Sequence, residues 1–426
     1  MLRTLAHTAV AASMTALLTH AAHAQGTRAP QRPRTLVIDS VAIVDVSSGQ
    51  VREHQRLVIR GDTIAAVETV GAPLPQPVDQ YVNGRGTFAM PGLTDHHVHL
   101  DAGMDRLLLN AARGGVTMVQ NMAGDNRIVG EFARRTLTKS LAGPEIAYVS
   151  VMAGPDFFVD PRFRGAGVGY VPGTAPWMQA ITAATDLPTA IAAARGSGAE
   201  ILKLYAMIDS AVAARAIAEA HRQGMRVVAH GTVFPARPLQ LVQSGVDVLT
   251  HAPYLSWQGA ATVRAEDSFD RRKGPYATTP VSGQAMTQLL TAMQQRHTYL
   301  EPTLFVFARQ AEEKDVNDWA RAITKRARDL GVPIIAGTDG LIAGDSTALP
   351  NVHQELALLV DAGLTPREAL AAATTVAAQA MKRERTHGVL AAGYVADILL
   401  LEANPLVDVR NTTRIRQVVL RGKTLR

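Results

Sequence analysis

Between Gly92 and Ala336, short runs of β-branched and apolar residues alternate with alanine-rich stretches of helical period, eight times over. The strand candidates are Gly92 to His99, Val116 to Asn121, Ile146 to Val151, Glu200 to Tyr205, Arg226 to His230, Val246 to His251, Thr298 to Phe305 and Pro333 to Ala336. Helical segments lie between them. Ser210 to Gln223 carries Ala, Ile and Val on one face, and Pro238 to Ser244 opens on a proline, which the first helical turn tolerates. Eight such units over roughly 290 residues are what a (β/α)8 TIM-type barrel needs. Two longer connections, Ala153 to Leu187 and Ala252 to Gly283, follow the third and sixth strands and are expected at the barrel mouth.

The ends of the chain have a different rhythm. Leu36 to Ile38, Val41 to Val46, Arg56 to Arg60 and Ile64 to Val67 read as short strands broken by turns at Ser47-Ser48-Gly49 and Gly61-Asp62. Ala396 to Leu401 and Gln417 to Lys423 have the same texture at the other end. The expected organisation is a small β-sandwich assembled from residues 35–89 and 384–426, with the barrel occupying 90–383. Ahead of it, Arg3, an Ala/Leu/Val-rich run and Ala22-His23-Ala24 carry the marks of a secretory signal peptide over residues 1–24. Cleavage after Ala24 would leave a leader, residues 25–34, and a periplasmic or secreted protein. No other stretch approaches ~18 uninterrupted apolar residues, so no membrane span is expected.

Composition narrows the chemistry. With no cysteine in 426 residues there is no disulfide framework, thiol nucleophile, iron–sulfur cluster or thiolate zinc site. The net charge of +6 is spread along the chain rather than gathered into a basic stripe, so nucleic acid is not an expected partner. Any metal must then be held by histidine, carboxylate or a modified lysine.

Four of the thirteen histidines sit at the C-terminal ends of strand candidates, where barrel enzymes carry their chemistry. The first strand ends Pro91-Gly92-Leu93-Thr94-Asp95-His96-His97-Val98-His99. Residues two apart on a strand share a face, so His97 and His99 are a chelating pair for a divalent metal, with His96 pointing the other way. Lys203 lies in the apolar run Ile201-Leu202-Lys203-Leu204, where a lone ammonium is costly to bury. A desolvated amine can lose its proton and capture carbon dioxide, giving a carbamate that bridges two cations. A lysine that snorkels to the strand end or pairs with a structural carboxylate is the alternative. His230 and His251 end consecutive repeats and would complete a second metal. Asp339, after Ala336-Gly337-Thr338, can bind metal and accept a proton from attacking water.

Pro91-Gly92-Leu93-x-Asp95-x-His97-x-His99, Lys203, His230, His251 and Ala336-Gly337-Thr338-Asp339 together resemble the amidohydrolase superfamily in its two-metal form. Gly115-Val116-Thr117, Ala362-Gly363-Leu364-Thr365-Pro366 and Gly393-x-x-Ala396-Asp397 resemble its imidazolonepropionase-like branch, which includes prolidase-like dipeptidases and carboxypeptidases. Two positions depart from that pattern: His96 replaces a small residue or Met, and the second strand ends Gln120-Asn121 in place of Arg-Asp. The resemblance implies two divalent ions, most simply Zn2+. His97, His99 and Asp339 would hold one, His230 and His251 the other, and N6-carboxylated Lys203 would bridge them. Tyr205 shares the face of Lys203 and could hydrogen-bond a tetrahedral intermediate. Arg162, Arg164, Tyr170 and Trp177 on one loop, or Tyr254, Trp257, Arg271, Arg272 and Lys273 on the other, could clamp a substrate carboxylate. The expected function is hydrolysis of an amide bond in a dipeptide, peptide C-terminus or N-acyl amino acid, by a protein that could form homo-oligomers. Opening of a cyclic amide, or an inactive barrel used for binding, are the alternatives.

Overall fold

The computed structural model describes residues 32–71, 73–160, 165–269, 273–309, 314–342 and 349–425. The expected signal peptide and residues 25–31 of the leader lie outside them, as do Arg162, Arg164, Arg271 and Arg272.

Among the described residues, seven parallel strands build the barrel wall. They are β1 (Leu93–Val98), β2 (Val116–Asn121), β3 (Glu145–Ala153), β4 (Ile201–Leu204), β5 (Arg226–His230), β6 (Val248–Thr250) and β7 (Tyr299–Glu301). Each pairs with the next in chain order. The eighth position, Pro333 to Ala336, is reduced to one parallel bridge between Ile334 and Leu300. It still joins both neighbours, because Ile335 N donates to Leu300 O at 3.0 Å and His96 N donates to Ala336 O at 2.9 Å. The seventh strand is shorter than its sequence suggests. Pro302 has no N–H to continue the ladder, Thr303 turns to φ +51°, and Leu304–Ala308 becomes a short helix capped by the Glu355 carboxylate.

Alternation along these strands separates core from site. Leu202, Leu204, Val227, Ala229 and Leu249 pack against the helical shell. On the other face Val149, Val151, Ile201, Val228, Val248 and Ile335 fill the barrel interior. One pleat above Ile201 and Val228 come Lys203 and His230, so strand periodicity lifts them to the top of the packed layer. The helices follow the same logic. Ser210–Arg222 is N-capped by Asp209, which accepts from Ala211 N and Val212 N at 2.9 Å, and it buries Val212, Ala213, Ala216, Ile217 and Ala220 along one stripe.

The two chain ends meet in one eight-stranded mixed sheet, so the expected sandwich is hydrogen-bonded as a continuous unit. Phe88–Pro91 runs antiparallel to Ile398–Leu401 at the seam. The long strand Thr35–Asp45 pairs first with Gln80–Asn83 and then with Phe88–Pro91, and the sheet curls around Leu36, Ile38, Ile43, Leu57, Ile59, Ile398 and Val419. Gln80–Asn83 is mostly exposed and carries no apolar alternation, which is why its sequence gives no strand signal. Gly92 joins the sheet to the barrel at a point where a Cβ would fall 2.2 Å from Thr117 Oγ1. Among the described residues no helix is long and apolar enough to cross a membrane.

Candidate metal centre

His97, His99 and Asp339 come together at the ends of β1 and the eighth stave, with donor atoms all within 4.8 Å of one another. Asp339 Oδ1 lies 2.9 Å from His99 Nε2 and 3.4 Å from His97 Nε2. His97 is fully buried, and its Nε2 has no hydrogen-bond partner. The rings continue as an arc: the centroid of His97 is 5.0 Å from that of His251, which is 4.6 Å from that of His230. Lys203, 1% exposed, lies on the wall of the same cavity. All six residues expected from the sequence therefore face one space.

The far nitrogens of three rings are anchored. His97 Nδ1 sits 2.8 Å from Glu301 Oε2, His230 Nδ1 2.7 Å from Thr232 Oγ1, and His251 Nδ1 2.8 Å from Thr303 Oγ1. A carboxylate that accepts at His97 Nδ1 would leave Nε2 as the lone-pair nitrogen, which is the form a metal ligand needs; the threonine hydroxyls can donate or accept, and His230 Nδ1 also accepts from Thr232 N at 3.2 Å. Asp95 supports the arrangement from below. Its carboxylate accepts from Thr338 Oγ1 at 2.7 Å, Thr338 N at 3.1 Å and His97 N at 3.2 Å, tying β1 to the eighth stave.

The electrostatics match this geometry. Burial disfavours charge on the His97 imidazole and holds it well below its usual pKa. Burial opposes charge on Asp339, but the His97, His99 and His251 rings beside it hold its carboxyl well below the usual range. Burial pushes Asp95 up to about 7 against its three hydrogen bonds. Three non-glycine residues at the mouth take left-handed backbone: His251 at φ +69°, Thr303 at +51° and Asp339 at +57°. Such conformations cost about 1–3 kcal/mol each and persist where packing over-determines them, commonly at functional sites.

The cavity measures about 540 Å3. Its upper wall is Leu100, Met104, Tyr205, Tyr254, Val306 and Phe307. The Tyr205 ring stacks on His230 at 4.6 Å and on Phe157 at 4.7 Å. Of the suggested carboxylate-binding residues, Trp177 is buried in its own loop with Nε1 on Ala166 O, Trp257 packs on Phe234, and neither lines the cavity. Tyr170 packs edge-on against Trp177, and Lys273 is exposed outside the lining. Among the described residues, Lys203 is the one cationic side chain on the wall. His96 does not point away from the barrel as strand alternation suggests; it is buried with Nδ1 3.0 Å from Glu301 Oε1. Asn121 accepts from Leu100 N at 2.7 Å and donates to Ala123 O at 2.8 Å, bracing the loops after β1 and β2. Sequence reasoning passed over Glu301, Thr232 and Thr303. Glu301 alone carried a signal, being a carboxylate in an apolar strand, like Lys203.

Comparison with known proteins gives the family and the fold. Residues 88–425 match the amidohydrolase family. An imidazolonepropionase from Chromobacterium violaceum is 40% identical over 129 residues, 29% of this chain and 28% of that protein, so the chain matches less than a third of that relative's length. A Xaa-Pro dipeptidase crystallised with methionine in its active site superposes with a TM-score of 0.71 at 18% identity, covering 92% of this chain and 99% of that one. Phenylurea hydrolase B superposes with a TM-score of 0.73 at 20% identity, covering 92% and 97%. At these identities the two structures share the fold, and fold alone does not carry substrate. The family match spans most of the barrel and the returning sheet strands, and the chain belongs to the amidohydrolase family.

Proposed function

We propose that this protein is an exported, dinuclear metal-dependent hydrolase that cleaves the amide C–N bond of a dipeptide, a peptide C-terminus or an N-acyl amino acid. The observation that carries the reading is the convergence of six donor residues on one cavity, with three histidine Nδ1 atoms anchored and His97 Nε2 buried without a hydrogen-bond partner. That donor set fits two divalent cations. His97, His99 and Asp339 would hold one, His230 and His251 the other, and Lys203 carboxylated on Nζ would offer oxygen donors to both. When bound, such cations polarise a carbonyl and bring the pKa of water toward neutrality. Asp339 takes the proton of the attacking water and returns it to the leaving nitrogen. The Tyr205 hydroxyl donates to the developing oxyanion. Leu100, Met104, Tyr254 and Phe307 exclude bulk water and receive an apolar side chain of the substrate. The Arg3, apolar-run and Ala22-His23-Ala24 pattern supports export, which a mature N-terminus at Gln25 in the exported fraction would establish.

The stretch shared with imidazolonepropionase favours a second reading, opening of a cyclic amide at the same centre. One experiment separates them: metal content measured together with turnover on a panel of dipeptides, N-acyl amino acids and cyclic amides. Release of free amino acids supports the first reading, and ring-opening alone supports the second. Fewer than about one tightly held divalent ion per chain, with no turnover, leaves a barrel used for binding.

A further inference from the structure

Two adjacent residues on a regular strand face opposite ways. His96 and His97 instead reach the same carboxylate, at 3.0 Å and 2.8 Å from the two oxygens of Glu301, and all three side chains are wholly buried. The cause is a bulge in β1, where Asp95 pairs with Val119 but Val98 with Asn121, three steps against two. Room for the carboxylate is made by Gly337, since a Cβ there would lie 2.4 Å from Glu301 Oε1 and 2.8 Å from His97 Cβ. A bulge, a glycine and a buried glutamate thus serve one contact, and the reaction steps above give Glu301 no task.

We propose that Glu301 is a positioning residue: its Oε2 accepts the Nδ1 proton of His97 and so presents Nε2 to the metal, while His96 holds Oε1 and keeps the carboxylate in the plane of the His97 ring. The inference rests on the metal-site reading above. His251 rests on a threonine hydroxyl, which donates as readily as it accepts, and His230 Nδ1 meets the Thr232 hydroxyl and also accepts from Thr232 N at 3.2 Å, so neither ring has a partner that only accepts. An ionised carboxylate only accepts. Where it carries a proton, the proposed arrangement keeps that proton on Oε1, shared with His96 Nδ1, so that Oε2 still accepts from His97. In that arrangement the His97 tautomer is set before any ion arrives.

The test compares Glu301→Met, which removes the acceptor, with Glu301→Gln, whose amide can turn its oxygen to His97 and its NH2 to His96. In metal-free protein, long-range 1H–15N spectra, with the His97 signal assigned by its loss in His97→Gln, should show an Nδ1–H imidazole in wild type and Glu301→Gln but not in Glu301→Met. Zinc retention against a chelator should fall about 10–100-fold in Glu301→Met and stay near wild type in Glu301→Gln. A wild-type tautomer and wild-type retention in Glu301→Met overturn the proposal, as does an equal fall in both variants. Should Glu301→Met fail to fold, Gly337→Ala displaces the same carboxylate, and unchanged tautomer and retention there overturn it equally. Failure of wild type to take up metal would count against the metal-site reading alone, because the tautomer is read without metal.

Discussion

Lys203 is the residue whose placement demands most explanation. Burying an ammonium costs several kcal/mol unless it is paired or changes its chemistry. Carboxylation would convert it to an anion facing imidazoles and cations. Lys203→Ala is accordingly expected to lower bound metal and to reduce turnover by about 10^2-fold or more, with partial recovery on adding short carboxylic acids. Full metal content and rate in that variant would remove the bridging role. Asp339→Asn should keep the thermal midpoint while lowering kcat by about 10^2–10^4-fold, the usual share of a positioned proton acceptor; steady-state kinetics beside a melting curve checks this. Both residues stood out in the sequence because a charge at the end of an apolar strand is conspicuous. Thr232 and Thr303 did not, since a threonine two residues past a histidine, or 52 away from one, looks like any other.

At the scale of elements, periodicity placed β2, β4 and β5 nearly to the residue, because each keeps one face on the shell and the other in the interior. At β1 the bounds also held to one residue, but a bulge turned His96 against the expected alternation, and the eighth stave is reduced to a single bridge. A contact between elements also gives a pH prediction. His221, in the last turn of helix Ser210–Arg222, has Nε2 2.9 Å from Asp247 Oδ2, and the same oxygen accepts from Val227 N at 2.7 Å. The Asp247 hydrogen bond raises the His221 pKa. A raised histidine stabilises the fold fully below its unfolded value of ~6.5 and loses that contribution as pH rises through the folded value. The pair is partly exposed, so the effect is about 0.5 kcal/mol. Urea unfolding at pH 5.5 and 9 should show this extra loss in wild type and not in His221→Gln; equal slopes would contradict it.

For the whole molecule, the ions of the proposed site would join β1, β4, β5, β6 and the eighth stave, closing the barrel where its hydrogen bonding is thinnest. Metal removal should therefore lower the melting temperature, and re-addition should restore it in a concentration-dependent way. Binding at a hundred times Kd stabilises by ~2.7 kcal/mol per site. An unchanged melting curve after verified metal loss would show that the staves close without help.

Sequence alone determined the number and order of the β/α repeats and the identity of the six converging residues. Both follow from local physics: apolar alternation marks a strand face, and an isolated ionisable group at its end marks the mouth. Tertiary structure alone decided that His96 turns inward, that Glu301 serves two rings across 204 and 205 residues, and that Asp95 clasps Thr338 across 243. It also decided that Trp177 and Trp257 pack away from the cavity. Hydrogen bonds between residues so far apart in the chain depend on register, bulges and the space left by a glycine, and none of these is encoded within a window of neighbouring residues.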